Sequence, residues 1–166
     1  MENTGPTIQE HGAEELDHII GINLKGVYFG LTHAPRHMRD GGSIINTSSA
    51  AALLGLYGYS QYAMTKAAVI SLTKTAAIEL SARGIRVNAV CPGSVRTAML
   101  PDGHPEIAVV EVLAPLGRIA ETDELVGIYH FLASEESRYM TGQAIVIDGG
   151  VTAGPSVALL ARCLPT

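Results

Sequence analysis

Tyr62 and Lys66 stand four residues apart in a segment with a helical pattern. At that spacing, two side chains lie on the same face of a helix, one turn apart. A free tyrosine has a pKa of about 10, too high for proton transfer at neutral pH, and an ammonium beside a phenol favours the phenolate. The pair is therefore a candidate general acid and base. Ser49 lies thirteen residues before Tyr62, just after an apolar run, where its hydroxyl could hydrogen-bond the oxygen of a substrate carbonyl or alcohol.

A tyrosine and a lysine on one helix face are more often two ordinary surface residues, so the rest of the sequence must decide. The 166 residues are 47% hydrophobic and 16% charged, which predicts a single globular domain over residues 1–166. The net charge of −5 and the lack of a basic cluster argue against binding to nucleic acid or to anionic membrane surfaces.

The sequence also indicates a compartment. No apolar run approaches the roughly 20 residues of a membrane span, and the polar, acidic N-terminus does not resemble a signal peptide. Two cysteines suggest no disulfide framework. We therefore expect a cytoplasmic protein.

His33 and His37 have helical spacing, but Pro35 lies between them and no third ligand is apparent, so we expect no metal site.

Hydrophobic periodicity predicts alternating helices and strands. Helices are expected over 14–38, 59–82 and 122–134, and strands over 43–48, 85–91 and 143–148. Pro35 should kink or end the first helix, Gly84 should end the second, and Thr122 should cap the third. The alternation predicts an α/β fold with a parallel sheet.

Two helices have unusual surfaces. The helix at 59–82 is apolar around most of its circumference, which predicts burial on more than one side. The helix at 14–38 contains Gly21, Gly26 and Gly30, which suggest that another element packs tightly against it. Residues 94–117 contain three prolines and two glycines and are expected to form an irregular substrate loop. Its apolar side chains could fill the core or line a pocket for a hydrophobic substrate.

Five short motifs follow one another along the chain. They are Asn23-Leu24-Lys25-Gly26, the IINTSS run that ends at Ser49, Tyr62-x-x-x-Lys66, the RVNAVCPG run that ends at Gly93, and Asp148-Gly149-Gly150. In this order the motifs resemble the classical short-chain dehydrogenases/reductases, from about residue 13 to residue 152. The resemblance implies part of a Rossmann-like, doubly wound parallel sheet, with about three strands and flanking helices.

The resemblance also implies roles for individual residues. Tyr62 matches the catalytic acid/base, and Lys66 matches its partner, which also binds the nicotinamide ribose. Ser49 matches the residue that polarises the carbonyl, and Asn23 the one that holds a proton-relay water.

The same resemblance makes residues 92–97 a cofactor segment that lines the nicotinamide and the phosphates. Pro92 and Gly93 begin it, Val95 would contact the carboxamide through its backbone, and Thr97 would hydrogen-bond the cofactor. The implied reaction is hydride transfer between NAD or NADP and an apolar secondary alcohol or ketone.

One part of the family pattern is absent from the sequence. The family begins with a dinucleotide-binding half that contains a Thr-Gly-x-x-x-Gly-x-Gly turn, a residue that selects NAD or NADP, and an Asn-Asn-Ala-Gly strand. None of these occurs here, so we expect the chain to correspond to the C-terminal two-thirds of such an enzyme, and the choice between NAD and NADP stays open.

Two further expectations concern assembly and the competing functions. In the family, the helices equivalent to 14–38 and 59–82 form a dimer interface, which implies a homodimer or homotetramer. The main alternative is a truncated, catalytically inactive fragment or an interaction module without cofactor binding. A sugar epimerase or dehydratase of the same superfamily is disfavoured, because those enzymes carry a larger C-terminal substrate domain.

Overall fold

The computed structural model of the chain describes residues 6–164. Its helices and strands are α1 (Ala13–Ile19), a π-helical turn (Ile20–Lys25), α2 (Gly26–His33), β1 (Ser43–Thr47), α3 (Ser60–Glu79), β2 (Arg86–Pro92), α4 (Pro105–Leu113), α5 (Asp123–Ala133), β3 (Ala144–Ile147) and α6 (Val157–Cys163). Short 3-10 turns lie at Ala34–Arg36, Ala50–Ala52, Ser81–Arg83 and Glu135–Ser137. None of the helices within 6–164 combines the length and the apolar character of a membrane span.

The three strands form one parallel sheet in the order β1-β2-β3. Ser43 of β1 lies opposite Arg86 of β2, and Ala89 of β2 lies opposite Ala144 of β3. The central strand β2 is buried from Arg86 to Cys91, because it has a neighbour on each side and a helix on each face. This confirms the predicted α/β class and the three strands, whose bounds differ from the expected ones by one residue or less at each end.

Helices cover both faces of the sheet. The Asn46 amide donates to Thr73 Oγ1 of α3 at 2.9 Å, whereas the hydroxyl groups of Thr47 and of Tyr129 in α5 lie 2.8 Å apart. Successive residues of a strand point to opposite faces. Therefore α3 and α5 lie on opposite sides of the sheet, as the doubly wound arrangement requires.

The first predicted helix differs from expectation. Residues 14–38 do not form one regular helix, because a π-helical turn separates α1 from α2. Pro35 ends the helical stretch as predicted, within a 3-10 turn that closes at Arg36. A Cβ atom built at Gly21, Gly26 or Gly30 would have no nearby atom of this chain within 4 Å. No element within residues 6–164 therefore packs against these three glycines, and the expected close neighbour stays a prediction.

The second predicted helix is buried on one side only. Its buried residues are Thr65, Val69, Ile70, Thr73 and Ala77, which face the sheet. Met64 is 47% exposed and Ile78 is 76% exposed, so burial on more than one side is not found within residues 6–164. The helix stops as predicted, because a 3-10 turn leads to Gly84 in the left-handed conformation, at φ 64°.

The 94–117 segment is not irregular throughout, because it contains α4. Pro105 is the first residue of this helix, where a missing N–H costs nothing, and the His104 ring accepts a hydrogen bond from the Glu106 amide at 3.2 Å. Pro115 follows the helix. Pro105 and Pro115 therefore mark the two ends of α4, and the expectation of an irregular loop over all of 94–117 is wrong.

The helix α5 begins at Asp123 as expected, but Thr122 does not cap it. Thr122 has helical backbone angles, and its side chain makes no capping hydrogen bond. The Glu124 carboxylate serves this end instead, because it accepts from the Glu121 amide at 2.8 Å and from Arg118 at 2.7 Å. The last helix, α6, has a side-chain cap, in which Ser156 Oγ accepts from the Leu159 amide at 3.0 Å.

Candidate functional site

The candidate site lies at the carboxyl-terminal end of the parallel strands, which we call this edge of the sheet. The strands are parallel, so the carboxyl ends of β1 at Thr47 and of β2 at Pro92 meet there. Ser49 follows β1 by two residues, and residues 92–97 continue from β2. Most of the residues singled out from the sequence therefore come from one end of the sheet, whereas α3 supplies Tyr62 and Lys66 and the π-helical turn supplies Asn23.

Lys66 joins α3 to this edge. Its Nζ atom donates to the Thr47 carbonyl at 3.1 Å and lies 5.6 Å from the centroid of the Tyr62 ring. An ammonium has three N–H donors, and within residues 6–164 only one of them has a protein acceptor. Burial lowers the pKa of the Lys66 ammonium, since a partly desolvated cation is disfavoured. Lys66 can thus act on the Tyr62 ring and still bind another group.

The two serines after β1 have different surroundings. Ser48 is buried, and its hydroxyl donates to the Lys66 carbonyl at 2.8 Å, which ties the end of β1 to α3. Ser49 Oγ accepts from the Ala51 amide at 3.1 Å and so caps the 3-10 turn. That contact uses a lone pair and leaves the Ser49 O–H able to donate to a substrate oxygen.

Asn23 lies in the π-helical turn between α1 and α2. Its amide donates to Thr65 Oγ1 at 3.4 Å, and Thr65 Oγ1 donates to the Tyr62 carbonyl at 2.8 Å. Thr65 is fully buried, so it connects Asn23 to the helical turn that carries Tyr62. Single π-helical turns occur frequently at functional sites. The sequence interpretation missed Thr65, although its position between Tyr62 and Lys66 was a usable signal.

The glycine of the 92–97 segment is required by backbone packing. The Gly93 amide donates to the Ile147 carbonyl at 2.8 Å, and a Cβ atom on Gly93 would lie 2.8 Å from the Asp148 Cα. Only a glycine permits this approach between the ends of β2 and β3. Pro92, the last residue of β2, is half-buried beside it.

Val95 presents free backbone groups. Its neighbours bond the Ala120 backbone, since the Arg96 amide donates to the Ala120 carbonyl at 2.8 Å and the Ala120 amide donates to the Ser94 carbonyl at 3.0 Å. The N–H and C=O of Val95 itself have no partner within 6–164. Thr97 is exposed, and its carbonyl accepts from the Leu100 amide at 3.0 Å.

These free groups fit the nicotinamide end of a dinucleotide. A carboxamide has both donors and an acceptor, which complement the C=O and N–H of Val95. A ribose hydroxyl suits the two remaining N–H donors of Lys66. For the pyrophosphate, the sequence offers no glycine-rich turn before a helix.

A second cluster beside the site was not found from the sequence. Glu106 of α4 accepts from the Tyr59 hydroxyl at 3.1 Å and from Ser94 Oγ at 2.7 Å. The Tyr59 ring meets the Tyr62 ring edge-on, with centroids 6.2 Å apart. Burial, and then the charge on Glu106, raise the pKa of Tyr59. Tyr59 and Glu106 are 47 residues apart, so no local pattern joins them.

Two buried residues near the site have structural surroundings. Cys91 is fully buried, and burial raises the pKa of its thiol, an effect partly offset by hydrogen bonds to Ser48 and Ser49. The Asn88 side chain bonds the backbone, since its amide donates to the Met140 carbonyl at 2.9 Å and its oxygen accepts from the Gln143 amide at 3.1 Å.

Comparison with known proteins gives consistent matches. A family model described as enoyl-(acyl carrier protein) reductase matches residues 2–152. The 3-oxoacyl-[acyl-carrier-protein] reductase of Thermotoga maritima is 45% identical over 143 residues, covering 83% of this chain and 57% of the relative. The 3-alpha-(or 20-beta)-hydroxysteroid dehydrogenase of Mycobacterium tuberculosis is 42% identical over 150 residues, covering 89% of this chain and 56% of the relative.

A solved structure matches equally well. A blue fluorescent protein from a metagenomic library, in complex with NADPH, superposes with a TM-score of 0.83 at 34% identity and covers 90% of this chain and 62% of that one. The chain thus spans between 56% and 62% of the length of these three proteins.

Proposed function

We propose, since the chain belongs to the short-chain dehydrogenase/reductase family, that it carries the catalytic residues of an NAD- or NADP-dependent oxidoreductase. The reaction would interconvert a secondary alcohol and a ketone. The observation that carries this proposal is the position of Lys66, whose ammonium binds the end of β1 through Thr47 and lies 5.6 Å from the Tyr62 ring centroid.

Each residue has a part in the proposed chemistry. As a phenolate, Tyr62 takes the hydroxyl proton of an alcohol and becomes the neutral phenol; in the reverse direction the phenol gives its proton to the ketone oxygen and the phenolate is formed again. The Lys66 ammonium stabilises this phenolate. Ser49 donates a hydrogen bond to the same oxygen and stabilises the charge that develops on it. Asn23 would hold a water through which the proton is exchanged with solvent. When bound, NAD or NADP accepts or supplies the hydride.

The binding roles are those that the family resemblance implies, and the free groups of the site support them. Lys66 would bind the nicotinamide ribose, the Val95 backbone would bind the carboxamide, and Thr97 would add a hydrogen bond. Pro92 and Gly93 would set the path of this segment. Residues 94–117 would bind the substrate, which we propose to be apolar because α4 presents Ile107 and Val110 among its half-buried residues.

Replacing Tyr62 tests the proposal most directly. The assay uses a fusion in which the family's N-terminal dinucleotide-binding half, taken from the Thermotoga maritima reductase, precedes this chain; we call it the fusion enzyme. Tyr62→Phe keeps the ring and removes the proton donor, so turnover should fall by about 100- to 10 000-fold with little change in melting temperature. Tyr57→Phe is the control, since Tyr57 is 65% exposed and should tolerate the change. Near-normal turnover in Tyr62→Phe would contradict the assignment.

Lys66→Ala tests the two roles proposed for the lysine, which are to stabilise the Tyr62 phenolate and to bind the nicotinamide ribose. It should lower turnover and also raise the dissociation constant for NADH and NADPH, measured by fluorescence titration. Unchanged cofactor affinity would remove the ribose role and leave only the effect on Tyr62.

The alternative is a binding module without catalysis. The outer edge of β1, which has no partner strand within residues 6–164, favours this reading, because a bare strand edge binds other chains readily. A fusion enzyme that folds but neither binds NADPH nor turns over a ketone would support the alternative.

A further inference from the structure

We propose that Glu106 is a positioning residue that clamps α4 onto both the catalytic segment and the 92–97 segment. The inference rests on the proposed function for its catalytic consequence, but not for the clamp itself. The clamp consists of Glu106, Tyr59 and Ser94. It joins three parts of the chain that are not adjacent in sequence: the helix α4, the start of α3 and the loop after β2.

The geometry of the carboxylate supports a holding role. Each Glu106 oxygen accepts from a different hydroxyl group, Oε1 from Ser94 at 2.7 Å and Oε2 from Tyr59 at 3.1 Å. Hydrogen bonds to an ionised acceptor are about twice as strong as neutral ones. Glu106 makes no ion pair within residues 6–164, so these two hydroxyl groups are its side-chain partners there.

The helix α4 depends on polar contacts to hold it against the rest of the chain. None of its residues is fully buried, so hydrophobic packing alone holds it weakly. A side-chain hydrogen bond also fixes its far end, where Ser156 Oγ donates to the Val112 carbonyl. Glu106 lies at the opposite end, next to the site, and it is the residue of α4 that connects to the neighbourhood of Tyr62.

The link to Tyr62 passes through Tyr59. The two rings meet at 71° with centroids 6.2 Å apart, an edge-to-face arrangement that restricts both rings. If the hydrogen bond between Glu106 and Tyr59 is lost, the Tyr59 ring beside Tyr62 becomes more mobile, and so does α4. We therefore expect loss of the clamp to weaken substrate binding and to slow turnover together.

Hydrogen exchange measured by mass spectrometry on the 166-residue chain tests the clamp. Glu106→Ala should raise exchange in the peptide covering 105–113 by about tenfold, the effect of losing charge-assisted hydrogen bonds. Glu111→Ala is the matched control, an exposed glutamate on the same helix, and should leave exchange unchanged. Because Glu106 also lies in the first turn of α4, where a negative charge favours the helix, its substitution alone is ambiguous.

Tyr59→Phe resolves that ambiguity because it leaves the sequence of α4 intact. It should raise exchange in 105–113 by about threefold or more in the native chain, and by nothing further when Glu106→Ala is already present. Independent, additive effects of the two substitutions would overturn the proposal, as would wild-type exchange in Tyr59→Phe. In the fusion enzyme both variants should raise KM and lower kcat, whereas Glu111→Ala should do neither. An inactive fusion enzyme would count against the proposed function. The hydrogen-exchange comparison of the two single variants with the double variant would still test whether the clamp exists.

Discussion

Two buried threonines on α3 should respond differently to the same substitution. Thr65 and Thr73 lie eight residues apart, both buried, and each donates to a carbonyl one turn earlier and accepts from an asparagine amide. Asn23 reaches Thr65 at 3.4 Å, whereas Asn46 reaches Thr73 at 2.9 Å. Replacing either threonine with valine keeps the shape and removes the hydroxyl. We expect Thr73→Val to cost more stability and Thr65→Val to cost more activity.

The hydrogen-bond distances give the magnitudes. A typical internal hydrogen bond contributes about 1 kcal/mol net, and a partly buried donor left without a partner costs about as much again. Thr73→Val loses a well-formed bond to Asn46, so its free energy of unfolding should fall by about 2 kcal/mol. The bond from Asn23 to Thr65 is long and weak, so Thr65→Val should cost about 1 kcal/mol or less. The carbonyls of Tyr62 and Val69 keep their backbone partners within the helix and add little.

Urea unfolding of the two variants measures the first effect, and steady-state kinetics in the fusion enzyme measure the second. Thr65→Val should lower kcat by about tenfold, because the amide of Asn23 and the turn that carries Tyr62 lose their common anchor. Thr73→Val should leave kcat within about twofold of the parent. The reasoning is refuted if Thr65→Val keeps full activity, or if Thr73→Val is the more damaging to kcat at a temperature where both variants are folded.

Four further predictions concern backbone packing, pH, binding and assembly. Gly93→Ala forces a Cβ to within 2.8 Å of the Asp148 Cα, so the melting temperature should fall by several degrees; an unchanged value would show that the backbone can relax. The guanidinium of Arg118 holds the pKa of Glu124 at about 2, below its ordinary 4.5, so its contribution to stability should be lost as the pH falls from about 4.5 towards 2. Glu124→Gln should flatten the melting temperature over that range, whereas the exposed Glu136→Gln should not. Calorimetry should detect no micromolar binding of NADH or NADPH to the 166-residue chain, and light scattering should show it associating as its concentration rises, through the bare edge of β1. The fusion enzyme should be a dimer or tetramer by light scattering, and a monodisperse monomer at micromolar concentration would contradict the predicted interface.

The sequence was informative where chemistry and local structure coincide. The strand before Ser49, the helix that carries Tyr62 and Lys66, and the stop at Gly84 all follow from short-range patterns. The strand and the start of the helix lie within one residue of the expected positions, and the helix ends three residues early, before a 3-10 turn. Such features depend on propensity and periodicity, which a single sequence carries.

The features that were missed depend on long-range contacts or on backbone detail. The hydroxyl of Tyr59 meets Glu106 only because α4 folds back over the start of α3, and nothing in either segment specifies that approach. The helix α4 was not predicted because the prolines of this segment were taken as signs of irregular structure. Pro105, however, occupies the first helical position, where proline is favoured. Thr122 was assigned a cap by residue type, but it has helical backbone angles, and the Glu124 carboxylate instead accepts from the Glu121 amide that precedes it.

The two classes of contact divide the proposed catalytic work. Lys66, Ser48 and Thr65 fix the acid/base through bonds to backbone groups of β1 and α3, all within a single strand–turn–helix unit. The proposed substrate segment, residues 94–117, is fixed by Glu106, which accepts from Tyr59, 47 residues away, and from Ser94 at the start of the segment. Changes in the first set should therefore lower kcat with little effect on substrate binding, whereas changes in the second should raise KM as well. A substitution at Glu106 that altered kcat alone would mean that α4 and the acid/base are positioned as one unit, and that the division drawn from the contacts does not hold.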